Sequence, residues 1–404
     1  MKVCIICFGF RKANLSLQPW VYIHELCKGI IQKDMQLRVV TDIDGQPLQS
    51  EAIEDIDVRY VKRLSSPFGW SKEVVKVLEE EGADVVIALL GWTNLARLNL
   101  STGRPSIGIV TSPLYSLGQI MRLGVWEIMR HFRDLLIHFA GAVIPHCLIR
   151  RGMSYFDHVV VMSQANKKQL ERWGITSERI TVVPPGIHES DLDLPEQREI
   201  QELESMAEAV PIVLYFGSPT TLRGPDKLIE AFAKVARKLP AKLIVLSRIE
   251  RTGLVEEENI LSKMAKNSRL TDIVEIISGY LDEKELKKYI STADIVCLPF
   301  KLVISDVPMS ILEAMAAGKP VVSTNVDGIA ELLDGRGIVV RPCDSNALAE
   351  SIIALLTSPD SRRELGRRAR DYMVDYPRWN HVGEILTKLI SDVSEKREIR
   401  QRRC

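Results

Sequence analysis

The segment from residue 298 to residue 332, LPFKLVISDVPMSILEAMAAGKPVVSTNVDGIAEL, holds the side chains best suited to chemistry. Pro308 opens a predicted helix, because a proline in the first turn gives up no hydrogen bond there. The amide groups of Met309 and Ser310 would then be free to bind an anion such as a diphosphate. Glu313 follows in the next turn, where a carboxylate suits the paired hydroxyls of a ribose. Together these residues predict a site for a nucleoside diphosphate.

The elements around this segment would place it at the edge of a sheet. Apolar runs predict strands over 295–298 and 320–323, and between them a helix over 308–317 ends at Gly318. The loop before the helix then leaves the carboxyl end of a strand, which is where open parallel sheets bind ligands. The alternative is an ordinary strand and helix unit in which Glu313 is solvated.

A second loop would reach the same edge of the sheet. A predicted strand over 212–216 runs into Gly217, and a Gly-Pro pair further on begins the next helix. The loop between them ends in Arg223, whose guanidinium could bind a diphosphate through two hydrogen bonds. It would stabilise the negative charge that grows on the diphosphate as it leaves. A solvated Arg223 is the alternative, and Arg248, after the following strand, is a candidate second cation.

The length and composition favour a two-domain α/β protein. The 404 residues are 46% apolar, which is enough for two hydrophobic cores. Lysine plus arginine equals aspartate plus glutamate, at 53 each, so no excess of charge indicates a nucleic acid as partner. Scattered cysteines and the lack of a recognisable signal peptide favour a cytoplasmic protein, with the inner face of the membrane as the other position left open.

Alternating strand and helix patterns predict two doubly wound domains of the Rossmann type. The first covers residues 1–187, followed by a linker at 188–210, a second domain at 211–375, and a helix with a basic tail at 376–404. The first strand runs into a loop in which Gly9 is the single glycine. The GxGxxG pattern of dinucleotide-binding proteins is therefore absent there, which argues against an oxidoreductase.

The sequence EAMAAGKPVV, from Glu313 onwards, resembles the donor-binding motif of the family-4 glycosyltransferases, which are retaining enzymes of the GT-B fold. The resemblance is close over residues 155–395 and looser before them. It implies two Rossmann-like domains that face a cleft, with the last helix crossing back to the first domain. In this family a glutamate eight positions before Glu313 touches the donor sugar. Ser305 stands there, and whether the neighbouring Asp306 replaces it is left open.

The resemblance assigns further donor-binding residues. The family has an arginine directly after the glycine of the loop that follows the first strand of the second domain, and a lysine six residues after that glycine. Here these positions are Ser218 and Arg223, so one cation stands where two are expected. Tyr280 falls in the loop near which the family holds the nucleobase. Glu331, in DGIAEL, corresponds to a turn that supports the donor loop.

The acceptor side would be built by the first domain. The family usually has a histidine just after the strand that here ends at Val110, and this chain has Thr-Ser-Pro, with Ser112 and the loop at Gly9 as candidates. The stretch 117–153 mixes arginines with large apolar residues, and a helix through its middle carries His138. It is too short to span a bilayer. Two interpretations stay open, a surface that meets a membrane or a lipid-linked acceptor, and helices packed on the sheet with His138 in a packing role.

These residues predict a glycosyltransferase that moves a sugar from a UDP- or GDP-sugar to a saccharide or a lipid-linked acceptor. The resemblance implies retention of the anomeric configuration, and we expect neither a metal nor a cofactor. Asp-x-Asp pairs at Asp42, Asp55 and Asp191 have the spacing of a metal motif, but we expect them to be turn and surface residues away from the diphosphate site. The departures at Ser218 and Ser305 leave a second interpretation open, a relative that binds a sugar nucleotide or a partner without turnover.

Overall fold

Two largely parallel sheets organise the chain, as the alternating pattern of the sequence predicts. The computed structural model describes residues 1–42, 50–193, 210–249, 253–279, 281–303 and 305–403. The central strands of both sheets are runs of buried valine, isoleucine and leucine. Such runs arise because helices cover both faces of a parallel sheet.

The first domain is built on a sheet of eight strands. Its strands and those of a separate hairpin are β1 (Lys2–Ile6), β2 (Gln36–Asp42), β3 (Ser50–Ile53), β4 (Ile56–Val61), β5 (Ser65–Ser66), β6 (Gly69–Trp70), β7 (Val85–Leu89), β8 (Ser106–Val110), β9 (His158–Val161) and β10 (Ile180–Val182). The order is β10-β9-β8-β7-β1-β2-β4-β3, and β5 pairs with β6. All neighbours in the large sheet are parallel except β3 and β4. The order reverses between β1 and β7, so the loop with Gly9 opens at this switch point.

Eight α-helices of the first domain lie in the described residues. They are α1 (Trp20–Ile31), α2 (Lys72–Glu81), α3 (Trp92–Leu95), α4 (Leu117–Met121), α5 (Val125–Arg130), α6 (Phe132–Val143), α7 (His146–Ser154) and α8 (Gln164–Arg172), with short 3-10 turns at Lys12–Asn14, Ser177–Arg179 and Glu189–Leu192. The helix predicted through the middle of 117–153 is two helices, α5 and α6, which meet at His131. The predicted linker lies mostly outside the described residues.

The second domain has a parallel sheet of six strands. Its elements are β11 (Ile212–Gly217), a 3-10 turn (Thr221–Arg223), α9 (Pro225–Val235), β12 (Lys242–Ser247), α10 (Gly253–Asn267), β13 (Val274–Ser278), α11 (Glu283–Thr292), β14 (Ile295–Leu298), α12 (Met309–Ala316), β15 (Val321–Thr324), α13 (Gly328–Leu332), β16 (Gly337–Val340), α14 (Ser345–Thr357) and α15 (Pro359–Val374). The order is β13-β12-β11-β14-β15-β16. It reverses between β11 and β14, so the loops that follow these strands share one crevice edge.

The last helix, α16 (Trp379–Arg403), crosses back to the first domain. It packs on α1 where two glycines face each other: a Cβ placed on Gly29 would lie 2.7 Å from the Cα of Gly383. The Trp379 ring also packs edge-on against the Tyr22 ring, with centroids 6.0 Å apart. The crossing helix predicted from the family resemblance is therefore confirmed.

Within the described ranges, no single helix combines the length needed to cross a bilayer with the necessary apolar composition. The pair α6 and α7 reaches both together, but the two helices meet at an angle of 91°.

Candidate active site

Arg223 and Ser310 meet at the switch point of the second sheet. Nη2 of Arg223 donates a hydrogen bond to Oγ of Ser310 at 3.1 Å. The guanidinium also lies over the Phe300 ring, 5.0 Å from its centroid. A Cβ on Gly217 would come within 2.9 Å of Nη2 of Arg223, and φ of Gly217 is +125°, so a glycine is needed there. The structure therefore brings Gly217, Arg223 and Ser310 together, with Met309 at the first turn of α12.

Glu313 lies half-buried on α12, and the charges of the candidate cations Arg223 and Arg248 act on it. Burial raises the pKa of Glu313 to about 7, and the carboxylates of Asp191 and Glu283 add to this, whereas Arg248 and Arg223 oppose it. Arg248 is fixed next to the same loop, since its amide donates to the carbonyl of Gly217 at 2.9 Å. An anion bound between the two arginines would have a carboxyl group beside it that is half protonated near neutral pH.

Asp191 is closer to this site than the sequence indicated. The 3-10 turn Glu189–Leu192 packs against α12, and the charge of Asp191 is felt by Glu313. Its carboxylate accepts a hydrogen bond from the amide of His188 at 2.7 Å. The prediction that Asp191 lies away from the diphosphate site was therefore wrong, because the chain after the first domain folds back onto α12.

Ser305 and Asp306 point into the first domain. Oγ of Ser305 lies 3.3 Å from Sδ of Met162. The amide of Asp306 donates to the carbonyl of Thr111 at 2.9 Å, and its Oδ1 accepts from the amide of Gly328 at 2.9 Å. Both residues are buried. In the described residues, then, these hydrogen bonds tie the loop before α12 to the first domain and to the turn before α13, and they do not involve Arg223.

A second carboxyl group, that of Asp327, lies beside Asp306. Burial raises the pKa of Asp306 to about 6 and that of Asp327 to about 7, and the charge of Asp306 adds to the rise at Asp327. The Tyr115 hydroxyl donates to the carbonyl of Val303 at 3.0 Å and accepts from the amide of Val303 at 2.7 Å. Tyr115 and Asp327 were missed by the sequence analysis, although Asp327 stands in the DGIAEL motif.

A buried polar cluster joins the two domains at the turn that carries Arg223. Nε2 of His131 lies 2.8 Å from Oγ1 of Thr221, at the start of the turn that carries Arg223. Nζ of Lys301 donates to Asp226 at 2.7 Å and to Glu127 at 3.1 Å. Burial alone would raise the pKa of Glu127, but the Lys301 ammonium, a hydrogen bond from Thr221 and the charge of His131 together outweigh it and hold that pKa below its usual value. No local sequence pattern indicates this cluster, since its members come from both domains.

The three acceptor-side candidates lie on the facing edge of the first domain. The amide of Gly9, whose φ is +61°, donates to Oδ1 of Asp42 at 2.8 Å. The carbonyl of Ser112 accepts from the Trp92 indole at 3.1 Å. The His138 ring packs edge-on against Tyr115, with centroids 5.3 Å apart, and burial lowers the pKa of His138. His138 therefore has a packing contact, as in the second of the two interpretations.

Glu331 caps a helix of the first domain. Its carboxylate accepts hydrogen bonds from the amides of Gln164 at 3.3 Å and Ala165 at 3.1 Å, at the amino end of α8. An acidic side chain is favourable at that end of a helix. Glu331 thus ties the two domains together, a contact that the sequence analysis did not predict. Tyr280, the other loop residue singled out, lies outside the described residues.

Comparison with known proteins identifies the family. The sequence matches the family model Glycosyltransferase Family 4 over residues 20–191 and the model Glycosyl transferases group 1 over residues 196–372. The chain belongs to the family-4 glycosyltransferases. The family predicted from the EAMAAGKPVV motif is therefore confirmed.

Two relatives show how far the family likeness extends. The D-inositol 3-phosphate glycosyltransferase of Nocardia farcinica is 29% identical over 249 residues, which are 58% of this chain and 52% of the relative. The match thus spans about half the length of that relative. The alpha-maltose-1-phosphate synthase of Mycolicibacterium smegmatis is 23% identical over 380 residues, 89% of this chain and 93% of the relative.

Two solved structures share the fold along nearly the whole chain. Sucrose-phosphate synthase from Thermosynechococcus elongatus matches with a TM-score of 0.72 at 18% identity, over 97% of this chain and 98% of that one. Anabaena Alr3699/HepE, solved in complex with UDP-glucose, matches with a TM-score of 0.68 at 16% identity, over 97% and 100%. These matches confirm the GT-B fold.

One backbone feature departs from the family-4 pattern. The family turn begins with two glycines, and this glycosyltransferase has Asp327 and Gly328 there. Asp327 has φ 44° and ψ −125°, a conformation that favours glycine. Gly328 is closely packed, since a Cβ on it would lie 3.0 Å from Cβ of Ser163. The aspartate is therefore held in a strained conformation, beside Asp306 and at the contact between the domains.

Proposed function

We propose that the protein transfers a sugar from a nucleoside diphosphate sugar to an acceptor, with retention of the anomeric configuration and without a metal or a cofactor. The observation that carries the proposal is the contact between Arg223 and Ser310 at the crevice where the second sheet reverses its order. Family membership supports the reaction class, and the family's retaining chemistry supports the stereochemical outcome. The UDP-glucose complex of the Anabaena relative supports a UDP-sugar as donor, with a GDP-sugar as the alternative.

The diphosphate would lie between Arg223 and the amino end of α12. There the amides of Met309 and Ser310 lack partners within the helix and carry the positive end of its dipole. Negative charge grows on the diphosphate as the glycosidic bond breaks, so a fixed guanidinium stabilises the transition state more than the ground state. Phe300 below the guanidinium and Ser310 beside it keep Arg223 in place.

Glu313 would bind the ribose of the donor. It lies one turn after the diphosphate site on α12, so one rigid helix positions both contacts. A ribose hydroxyl that donates to the carboxylate favours its ionised form. Donor binding would therefore lower the pKa of Glu313 from its raised value. The acceptor, a saccharide or a lipid-linked saccharide, would enter from the first domain near Gly9, Ser112 and His138.

Donor binding and turnover can be tested separately. We expect UDP to raise the unfolding temperature of the protein, and UDP- or GDP-sugars to be converted slowly to the free nucleotide. Arg223→Met should weaken UDP binding by roughly 10- to 100-fold, since a hydrogen-bonded charge contributes about 1.5–3 kcal/mol. Arg363→Met is the matched control, because Arg363 is an exposed arginine on α15. UDP binding that is unchanged in Arg223→Met, or bound donors that never release nucleotide, would contradict the proposal.

A further inference from the structure

Exposed apolar side chains are concentrated on α4, α5 and α6. Seventeen large hydrophobic side chains are exposed in the described part of the chain, and nine of them belong to residues 117–143. We call these nine the outer face; they are Leu117, Met121, Val125, Trp126, Met129, Phe132, Leu136, Ile137 and Val143. Trp126 is the most exposed of them, at 84%. Such a concentration of exposed apolar side chains marks an interaction site.

The outer face follows the helical period. Phe132 and Leu136 are four residues apart, which places them on one side of α6. Leu135 of α6, and His131 at its junction with α5, are buried. The two sides of this helix pair therefore differ sharply, with apolar groups in solvent on one and a packed surface on the other.

The opposite side is held to the second domain by polar contacts. Glu127 accepts a hydrogen bond from Lys301 at 3.1 Å, and His131 lies 2.8 Å from Thr221. Lys301, His131 and Thr221 are more than nine-tenths buried, and the Glu127 side chain is 11% exposed. The helices could not rotate to bury the outer face without breaking these contacts, and each unpaired buried charge would be costly.

Three exposed arginines lie in the segment that carries the outer face. Arg122, Arg130 and Arg133 are exposed in residues 117–143, whereas Asp134 is the one exposed acidic side chain of that described segment. Apolar and aromatic side chains next to arginines suit the interface of an anionic bilayer, where the rings enter the headgroup region and the guanidinium groups meet phosphates. A two-fold contact between copies of this chain would instead bring together two faces of the same positive charge, which is unfavourable.

We propose that the outer face binds the surface of an anionic phospholipid bilayer. Trp126, Met129, Phe132 and Ile137 would enter the interface, and the helices would lie along it without crossing it. The arginines would add electrostatic attraction to acidic headgroups. This binding needs neither a donor nor turnover, so it can be tested independently of the transferase activity.

The test is co-sedimentation of the full chain with vesicles. We expect the protein to bind vesicles of phosphatidylcholine mixed with phosphatidylglycerol, and to bind pure phosphatidylcholine vesicles much more weakly. Trp126→Glu combined with Ile137→Glu should weaken binding by at least about tenfold, because a charge replaces an inserted apolar group at both positions. The matched control is Phe68→Glu, a substitution of a side chain that is 73% exposed but lies on the β5–β6 hairpin.

Two further measurements make the result decisive. Arg130→Gln combined with Arg133→Gln should weaken binding to the acidic vesicles by roughly fivefold per arginine, and added salt should remove this difference. Unfolding temperatures equal to that of the native protein would show that the exposed substitutions leave the fold intact. The proposal is overturned if the native protein does not sediment with acidic vesicles, or if Phe68→Glu weakens binding as much as the double glutamate variant. It is also overturned if the native protein is a dimer that the double glutamate variant dissociates.

Discussion

The Glu313 carboxyl group allows a sharp test, because its burial should make the protein less stable at high pH. Burial raises the pKa of Glu313 from an ordinary value of 4.5 to about 7. Glu313→Gln keeps nearly the same volume and removes the ionisable group. If the carboxyl is held in an environment that disfavours its charge, the glutamine variant should be the more stable protein wherever the native side chain would be ionised.

The expected size follows from the two pKa values. Below pH 4.5 the carboxyl is protonated in the folded and unfolded states alike and has no effect on stability. Between pH 4.5 and about 7 the unfolded state loses its proton first, so the stability of the native protein falls as the pH rises. Above pH 7 the full cost is present, about 3 kcal/mol for a shift of this size. At pH 5 the cost is less than about 1 kcal/mol.

Thermal unfolding of the native protein and Glu313→Gln at pH 5 and pH 8 measures this difference. At pH 8 we expect the variant to unfold at a temperature higher by roughly 3–4 °C, and at pH 5 by only a small fraction of that. Glu350→Gln is the control, since Glu350 is exposed on α14, and it should change neither value. An equal gain at both pH values, or none at pH 8, would refute the reasoning.

The same variant should bind the donor less well. In Glu313→Gln the ribose hydroxyl loses its hydrogen bond to a charged carboxylate. This loss costs about 1 kcal/mol, or roughly fivefold in UDP affinity. Higher stability together with weaker binding is typical of a group that serves a site rather than the fold. If Glu313→Gln bound UDP as tightly as the native protein in a calorimetric titration at pH 8, Glu313 would not be the ribose ligand.

Further substitutions test other parts of the structure. Lys301→Met leaves two buried carboxylates without their cation and should lower the free energy of unfolding by about 3–5 kcal/mol in urea titrations at pH 7; a loss below about 1 kcal/mol would contradict the buried pairing. Gly217→Ala places a Cβ against Arg223 and should weaken UDP binding by roughly tenfold, whereas Gly103→Ala, where a Cβ meets open space, should leave UDP binding unchanged. Gly383→Val should lower stability by about 1–3 kcal/mol through overpacking against α1, and an unchanged unfolding temperature would argue against the close helix crossing.

The sheets, and the edge at which Arg223 and Ser310 meet, could be predicted because their signals are local. The strands over 212–217 and 295–298 are continuous apolar runs, and each ends at a residue that stops it. Once both are strands of one parallel sheet, their carboxyl ends must lie at the same edge. The contact of Arg223 with Ser310 follows from that placement, although the two residues are 87 positions apart.

The contacts between the domains could not be predicted in the same way. Lys301 and Glu127 are 174 positions apart, and their pairing depends on how two separately folded sheets pack together. The sequence analysis singled out His138 in the helical stretch of the first domain, and the residue that bonds across the domains is His131. Asp306 directly follows Ser305, where the family has the glutamate that touches the donor sugar. Its carboxylate nevertheless accepts a hydrogen bond from the amide of Gly328. Side-chain direction in such loops is set by the partner surface, which leaves no periodic trace in the sequence.

The helix pair α5–α6 connects the proposed bilayer surface with the donor site. Its outer face carries Trp126 and Phe132, and its opposite side bonds to Thr221 through His131. Thr221 begins the 3-10 turn that ends in Arg223. The residue that His131 contacts therefore lies only two positions before the arginine proposed to bind the diphosphate. A bilayer that fixes the outer face would therefore also fix the position from which His131 holds this turn. The same two helices would then serve both purposes. Their outer face would bind acidic lipid, and their other side would hold Arg223 in position for the leaving diphosphate.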